Sequence, residues 1–162
     1  MDGHLREYGY VSDITFERTY DKKFIRKCVT SPAVWRMSVD DTTSKINPEL
    51  FFMPKNVPFY YLKVNKGYGL LIFEFVGGGV YEGHIALLPR ARGRAIEICE
   101  KAVKWFFENE DCHTVRGTVP AFNNLAKRLA KHIGMESVGI REGAFLKDGI
   151  AHDLYIFEIR RS

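Results

Sequence analysis

The chain has 162 residues, 46% hydrophobic, 14% aromatic and 27% charged, values that fit one globular domain large enough to build its core without disulfides or metal. A net charge of +4, from 24 Lys and Arg against 20 Asp and Glu, suits an anionic ligand but is too mild and dispersed to mark a nucleic-acid binder. No run approaches the ~20 apolar residues of a membrane span, and Met1–Tyr20 lacks the apolar centre of a secretory signal, so no membrane partner is expected and the expected address is cytoplasmic.

In chain order, Ile14–Arg18 reads as a first strand and Asp21 as the cap of a helix from Lys22 to Thr30, with Phe24, Ile25 and Cys28 on one face. Ser31-Pro32 ends that helix. Trp35 and Met37 follow, and then a long loop, 40–58, with Pro48, Pro54 and Pro58 among Ser, Thr and Asn. With Phe51, Phe52 and Met53, Trp35 and Met37 either wall an acceptor cleft or pack as ordinary core.

Three strands come next, Phe59–Val64, Gly69–Val76 and Val80–Leu88. The turn-prone Asn65-Lys66-Gly67 and Gly77-Gly78-Gly79 join them into an antiparallel meander. From Ala95 the period changes to that of a helix: Ala95, Ile98, Cys99, Ala102, Val103 and Phe106 form one stripe, while Glu97, Glu100, Lys101 and Lys104 face out. His113–Thr118 reads as a strand, Asn123–Ile133 as a helix stopped by Gly134, and Val138–Ile140 and His152–Ile159 as closing strands. This order predicts a single α/β (α+β) domain, 1–162 with its core at 14–159. Its sheet is mixed and mostly antiparallel, with about seven strands, about four helices and a parallel pairing around the Ala95 helix.

The stretch with most chemical content is Arg90-Ala91-Arg92-Gly93-Arg94-Ala95, a basic, glycine-containing turn between a strand and a long helix. The first amides of a helix lack intrahelical acceptors, its dipole is positive there, and Gly93 has no Cβ to hold a phosphate away from the backbone. Diphosphate is the expected guest. No GxxxxGK[ST] and no GxGxxG is present, which excludes a Walker loop and argues against a dinucleotide fingerprint.

Taken with the order of elements, this turn resembles the Arg/Gln-x-x-Gly-x-Gly/Ala loop of GNAT-type N-acetyltransferases. Asn123-Asn124-Leu125-Ala126 through Leu129, Gly134 and Met135 is similar to that family's Asn-x-x-Ser/Ala-x-x-Leu-x-x-x-x-Gly-Phe helix. Tyr81-Glu82-Gly83-His84, Leu87-Leu88-Pro89, and Phe145–Gly149 with His152-Asp153 further resemble a GNAT subgroup often encoded by bacteriophages, whose address would be the host cytoplasm. The resemblance implies acetyl-CoA as co-substrate, its pyrophosphate on the amides of Arg90, Ala91, Arg92, Gly93, Arg94 and Ala95. It implies a pantetheine arm paired with the backbone of Ala86, Leu87 and Leu88, a hydrogen bond from Asn123 near the thioester, and Lys131 at the nucleotide phosphates. Asn123 also reads as a plain helix cap.

The reaction so implied needs a base to free an amine from its ammonium form. Glu82 and His84 lie two apart on one strand, project from one face and stand next to the cofactor turn, which makes them the leading catalytic pair, with Glu74 on the adjacent strand in reserve. The plainer reading is a hydrogen-bonded pair or a solvated edge. The family's serine and tyrosine acid positions correspond here to Ala126 and Ala130, leaving water or a residue such as Tyr155 to protonate the leaving thiolate.

Cys28, Cys99 and Cys112 occupy no nucleophile position and read as reduced, structural thiols. His4, His84, His113, His132 and His152 lack ligand spacing, so no metal is expected. The expected function is acetyl transfer from acetyl-CoA to an amine of a protein, peptide or small molecule, with homodimerisation left open. A GNAT-shaped binding protein is the alternative. A nucleic-acid module using Arg90, Arg92, Arg94, Lys127, Arg128 and Lys131 is the weakest reading.

Overall fold

A computed structural model of the chain describes residues 12–41 and 59–162. Asp21 caps helix α1 (Lys22–Val29) as expected, its carboxylate accepting the amides of Lys23 and Phe24 at 3.1 and 3.2 Å. Pro32 does not simply end that helix. It takes the first turn of a second one, α2 (Pro32–Ser38), where its missing N–H costs nothing.

The seven strands are β1 (Phe16–Arg18), β2 (Phe59–Val64), β3 (Gly69–Gly77), β4 (Val80–Leu87), β5 (Thr114–Pro120), β6 (Glu136–Lys147) and β7 (Ile150–Arg160). They form one sheet in the order β1-β2-β3-β4-β5-β7-β6. Every pairing is antiparallel except β4 with β5, the parallel step that the helical crossover requires. That crossover is α3 (Ala95–Asn109), and α4 (Asn124–His132) links β5 to β6. None of the described helices is long and apolar enough to cross a membrane.

The helices cover both faces of the sheet. On one, Ile98, Cys99, Ala102, Val103 and Phe106 of α3, with Ala130 of α4, pack on Leu62, Val64, Leu71, Phe73, Val115 and Phe157. Phe106 stacks on Phe73 with ring centroids 4.0 Å apart and meets Tyr60 and Tyr81 edge-on at 5.2 and 4.9 Å. Truncating Phe106 to Ala would cost about 3–5 kcal/mol. On the other face, Ile25 and Cys28 of α1 close over Leu70 and Ala86. The burial pattern of β2, alternating from Phe59 to Val64, records this division.

β6 differs most from its sequence expectation. It runs for 12 residues, not Val138–Ile140 alone, and breaks register against β7 twice, between Ser137 and Gly139 and between Arg141 and Phe145. It is an outer strand exposed over most of its length, so no apolar alternation announces it. Its hairpin with β7 is pinned to the end of α2. Lys147 Nζ donates to the carbonyls of Arg36 and Val39 at 2.8 and 2.9 Å, and the Asp41 carboxylate accepts the turn amides of Asp148 and Gly149 at 2.7 and 2.9 Å. Of the predicted loop 40–58, residues 42–58, with Phe51, Phe52 and Met53, lie outside the described residues.

Candidate active site

β4 and β5 are hydrogen-bonded only from Val80↔Thr114 to Glu82↔Arg116, although both strands continue. Beyond that register they separate. Gly83 and Gly117 stand at the point of divergence, and a cleft of ≈ 360 Å³ opens between the strands. Its inner wall is Phe73, Cys99, Val103 and Ala130, and its opposite rim holds Val34, Met37 and His84. The cleft is therefore a window through the sheet, with one mouth on the α3/α4 side and the other on the α1/α2 side.

The open edge of β4 is fixed by alternation. Leu88 donates its amide to the Tyr68 carbonyl at 2.9 Å, which places Ala86, His84 and Glu82 in the pairs that exchange hydrogen bonds with β3. The Gly83 N–H closes the last β4–β5 pair on the Arg116 carbonyl, and the Gly83 carbonyl with the amides and carbonyls of Ile85 and Leu87 then point into the window. A polar, extended guest would meet the backbone of those three residues. Of the predicted set Ala86, Leu87 and Leu88, only Leu87 faces it: the backbone of Ala86 is turned to β3, and the Leu88 N–H is already engaged.

At the end of β4 the chain makes a short 3-10 turn, Pro89–Ala91, and reaches α3 through Gly93 at φ +84°. Three amides of this corner are satisfied internally, Ala91 by Leu88, Arg92 by Pro89 and Arg94 by Ala91. Those of Gly93, Ala95 and Ile96 have no backbone acceptor among the described residues, and α3 has no side-chain cap. A Cβ built on Gly93 meets nothing within 4 Å. No described residue plugs the corner, and its free N–H groups coincide with the positive end of a 15-residue helix.

The basic side chains divide. Arg90 and Arg92 are exposed beside the corner, and Ala91 is buried beneath it. Arg94 is a brace: its guanidinium binds Asp13 at 2.7 and 3.0 Å, Glu97 at 3.1 and 3.3 Å and the Tyr68 hydroxyl at 2.8 Å. The same contacts, led by Arg94 and then Lys66, hold the Asp13 carboxyl well below the usual carboxylate range. Arg94 thus fixes the turn instead of offering a free cation to a phosphate.

At the α1/α2 mouth, Glu82 and His84 come together as expected from their spacing. His84 Nε2 lies 4.0 Å from Glu82 Oε1 and 3.8 Å from Glu74 Oε2, so the reserve carboxylate completes the group. Thr118, across the window on β5, donates its hydroxyl to Glu82 Oε1 at 3.0 Å. The Glu82 side chain is 18% exposed and that of His84 43%, one sheltered and one reachable. Sequence reading missed Thr118 and Arg116. Both face this mouth from β5 by the same alternation that sets Val115 and Val119 in the core, but only the β4–β5 register shows that they sit beside Glu82.

No family model matches the sequence, and no curated protein matches it. Solved structures match the fold over most of the chain. A spermidine N-acetyltransferase chimera from Vibrio cholerae superposes with a TM-score of 0.72 at 18% identity, over 92% of this chain and 96% of the other. Spermidine N-acetyltransferase from Vibrio cholerae in complex with CoA and spermine gives 0.66 at 14% identity, over 93% and 96%. Ribosomal-protein-S5-alanine acetyltransferase from Vibrio fischeri gives 0.68 at 10% identity, over 93% and 94%. The fold is the GNAT acetyltransferase fold.

Within this GNAT fold, Asn123 has the cap role and a place in the cleft at once. Its Oδ1 accepts the Ala126 amide at 3.1 Å, and the residue lines the window. Ala126 and Ala130 line it as well and bring no acid. Tyr155 stands elsewhere, in a groove between α4 and the β6–β7 hairpin, with the Lys127 ammonium 4.9 Å from its ring centroid. Lys131 borders that same groove. Cys28, Cys99 and Cys112 are buried and free, and burial pushes the Cys28 thiol up to about 11 and that of Cys99 to about 12. Neither is a nucleophile at neutral pH. Among the described residues no group of acidic, His or Cys side chains could hold a metal ion.

Proposed function

We propose that the chain transfers an acetyl group from acetyl-CoA to an amine by direct attack. The observation that supports this most is the juxtaposition along β4: free backbone amides at an unfilled helix N-terminus just past its end, and a Glu82–His84–Glu74 group at the α1/α2 mouth of the window. The diphosphate would lie on the amides of Gly93, Ala95 and Ile96 with Arg90 and Arg92 beside it, and the pantetheine arm along Gly83, Ile85 and Leu87. The thioester, when bound, supplies an activated acyl carbon.

Glu82 or His84 takes a proton from the acceptor's ammonium, directly or through one water, and leaves a neutral amine. A nitrogen–carbon bond forms, the carbon–sulfur bond breaks, the nitrogen gives up its second proton to solvent, and the departing thiolate takes a proton from water. Alanine at 126 and 130 weakens the reaction without abolishing it, because a thiolate of ordinary pKa near ~8.5 is already a good leaving group. Thr118 keeps Glu82 aimed into the mouth. Much of the acceleration comes from holding the two reactants in line.

Two measurements test this reading. Acetyl-CoA should raise the melting temperature, since it binds only the folded chain, and free CoA should appear on mixing with an amine panel. A melting shift without CoA release from any amine would favour the second reading, a CoA-binding GNAT-fold protein, which the missing acid at Ala126 and Ala130 supports. The softer resemblance to a subgroup encoded by bacteriophages would place the activity in a host cytoplasm.

A further inference from the structure

Among the described residues two arginines are partly buried, and their treatment differs sharply. Arg94 satisfies its guanidinium with two carboxylates and a hydroxyl at distances from 2.7 to 3.3 Å. Arg116, on β5 at the α1/α2 mouth, makes no hydrogen bond to any described residue. Its nearest carboxylate oxygen, on Glu158, stands 3.8 Å from Nη2, beyond the 2.7–2.9 Å of a charge-assisted hydrogen bond. Its Nε is buried and has no acceptor among the described residues. A charged group that is 29% exposed and lacks hydrogen bonds is costly to fold in, and such groups mark places where a ligand completes the set.

The position is specific. Arg116 is the register partner of Glu82 and lines the same cleft, with the guanidinium on the strand flanking the proton-accepting group. Adjacent strands lie about 4.8 Å apart, so side chains on β4 and β5 that share this face can engage two groups of one small acceptor together. A guanidinium presents a planar fork that matches a carboxylate bidentately. Resting on the acetyl-transfer reading, we infer that the acceptor is a small zwitterion, an amine with a carboxylate one or two carbons away, and that Arg116 holds that carboxylate while Glu82 or His84 handles the amine. Glu158, opposite Arg116 on β7, keeps the guanidinium aimed across the mouth without occupying it.

The test compares matched acceptors with and without the carboxylate, alanine against ethylamine and phenylalanine against phenethylamine, with spermidine as a purely cationic probe. CoA release is followed at saturating acetyl-CoA, and calorimetry gives the acetyl-CoA affinity separately. The wild-type chain should favour the amino acids in kcat/KM. Arg116→Met should raise their KM about 30- to 100-fold, with kcat, acetyl-CoA affinity and the rate on ethylamine little changed. Arg116→Lys should recover only part of the loss, because an ammonium is a point charge and not a fork. Equal or better use of ethylamine, phenethylamine or spermidine by the wild-type chain overturns the inference, and so does an unchanged preference in a folded Arg116→Met. Acetyl-CoA binding without acetylation of any amino acid also overturns it. Failure to bind acetyl-CoA removes the acetyl-transfer reading beneath it, an outcome the calorimetry distinguishes.

Discussion

The two candidate binding regions along β4 are built from different materials. The corner past Pro89 presents backbone, the N–H groups of Gly93, Ala95 and Ile96, held in place by a glycine at φ +84° and by the Arg94 brace. The α1/α2 mouth presents side chains from separate strands, Glu74, Glu82, His84, Arg116 and Thr118. A backbone site is rigid and reads only charge and shape, so it suits a guest whose recognised part never varies. A side-chain site is altered one residue at a time, so it suits the reacting group and the acceptor, where discrimination is decided.

Substitution at the side-chain mouth should give the largest effect. Glu82→Gln and His84→Ala, tested singly, should lower kcat by about 10²- to 10⁴-fold in whichever variant loses the base, with acetyl-CoA affinity unchanged by calorimetry. Normal turnover in both variants would move the base away from this mouth.

At the backbone corner, Gly93→Ala should act in the opposite sense. The left-handed backbone should cost about 1 to 2 kcal/mol of stability, read by denaturant unfolding. The added Cβ, which meets no protein atom, should weaken acetyl-CoA binding with less effect on kcat at saturation. Wild-type affinity in this variant would mean that the diphosphate sits elsewhere.

A smaller effect is expected from Asp13→Asn, which removes the partner of Arg94 without touching the window. The Asp13 carboxyl is held below its ordinary range, so its contribution is present above that range and is lost as pH falls through the lowered value. The wild-type chain should therefore melt higher than Asp13→Asn at neutral pH, and the gap should close on acidification below pH ~4.

The buried thiols should give the smallest effect at neutral pH. In the folded chain Cys28 and Cys99 should resist alkylation at pH 8 and react only after unfolding. The unfolded chain releases these protons near pH ~8.5 while the fold retains them. Stability is therefore fully present below that range and declines as pH rises through it toward the raised values. Rapid alkylation of the native chain at either thiol would contradict the burial described for α1 and α3.

What the sequence itself determined is local in origin. The 3.6-residue stripe from Ala95 to Phe106 specified α3 and its buried face, Asp21 and Asn123 capped their helices, and Gly93 marked the basic turn before α3. Glu82 and His84 were legible as a pair because side chains two apart on a strand share a face. The chain alone did not disclose that β4 and β5 part after Glu82↔Arg116, because strand separation depends on packing between segments distant in sequence. Three further details belong to the assembled sheet: the open edge consists of the Gly83 carbonyl with Ile85 and Leu87, Arg116 and Thr118 stand beside Glu82, and Tyr155 faces another groove. β6 was mostly hidden for a related reason, since an outer strand exposed on both faces carries no alternation, and only its pairing with β7 reveals it. Periodicity and capping are energies of neighbouring residues and are written along the chain, whereas register and the convergence of strands are energies of the assembled sheet.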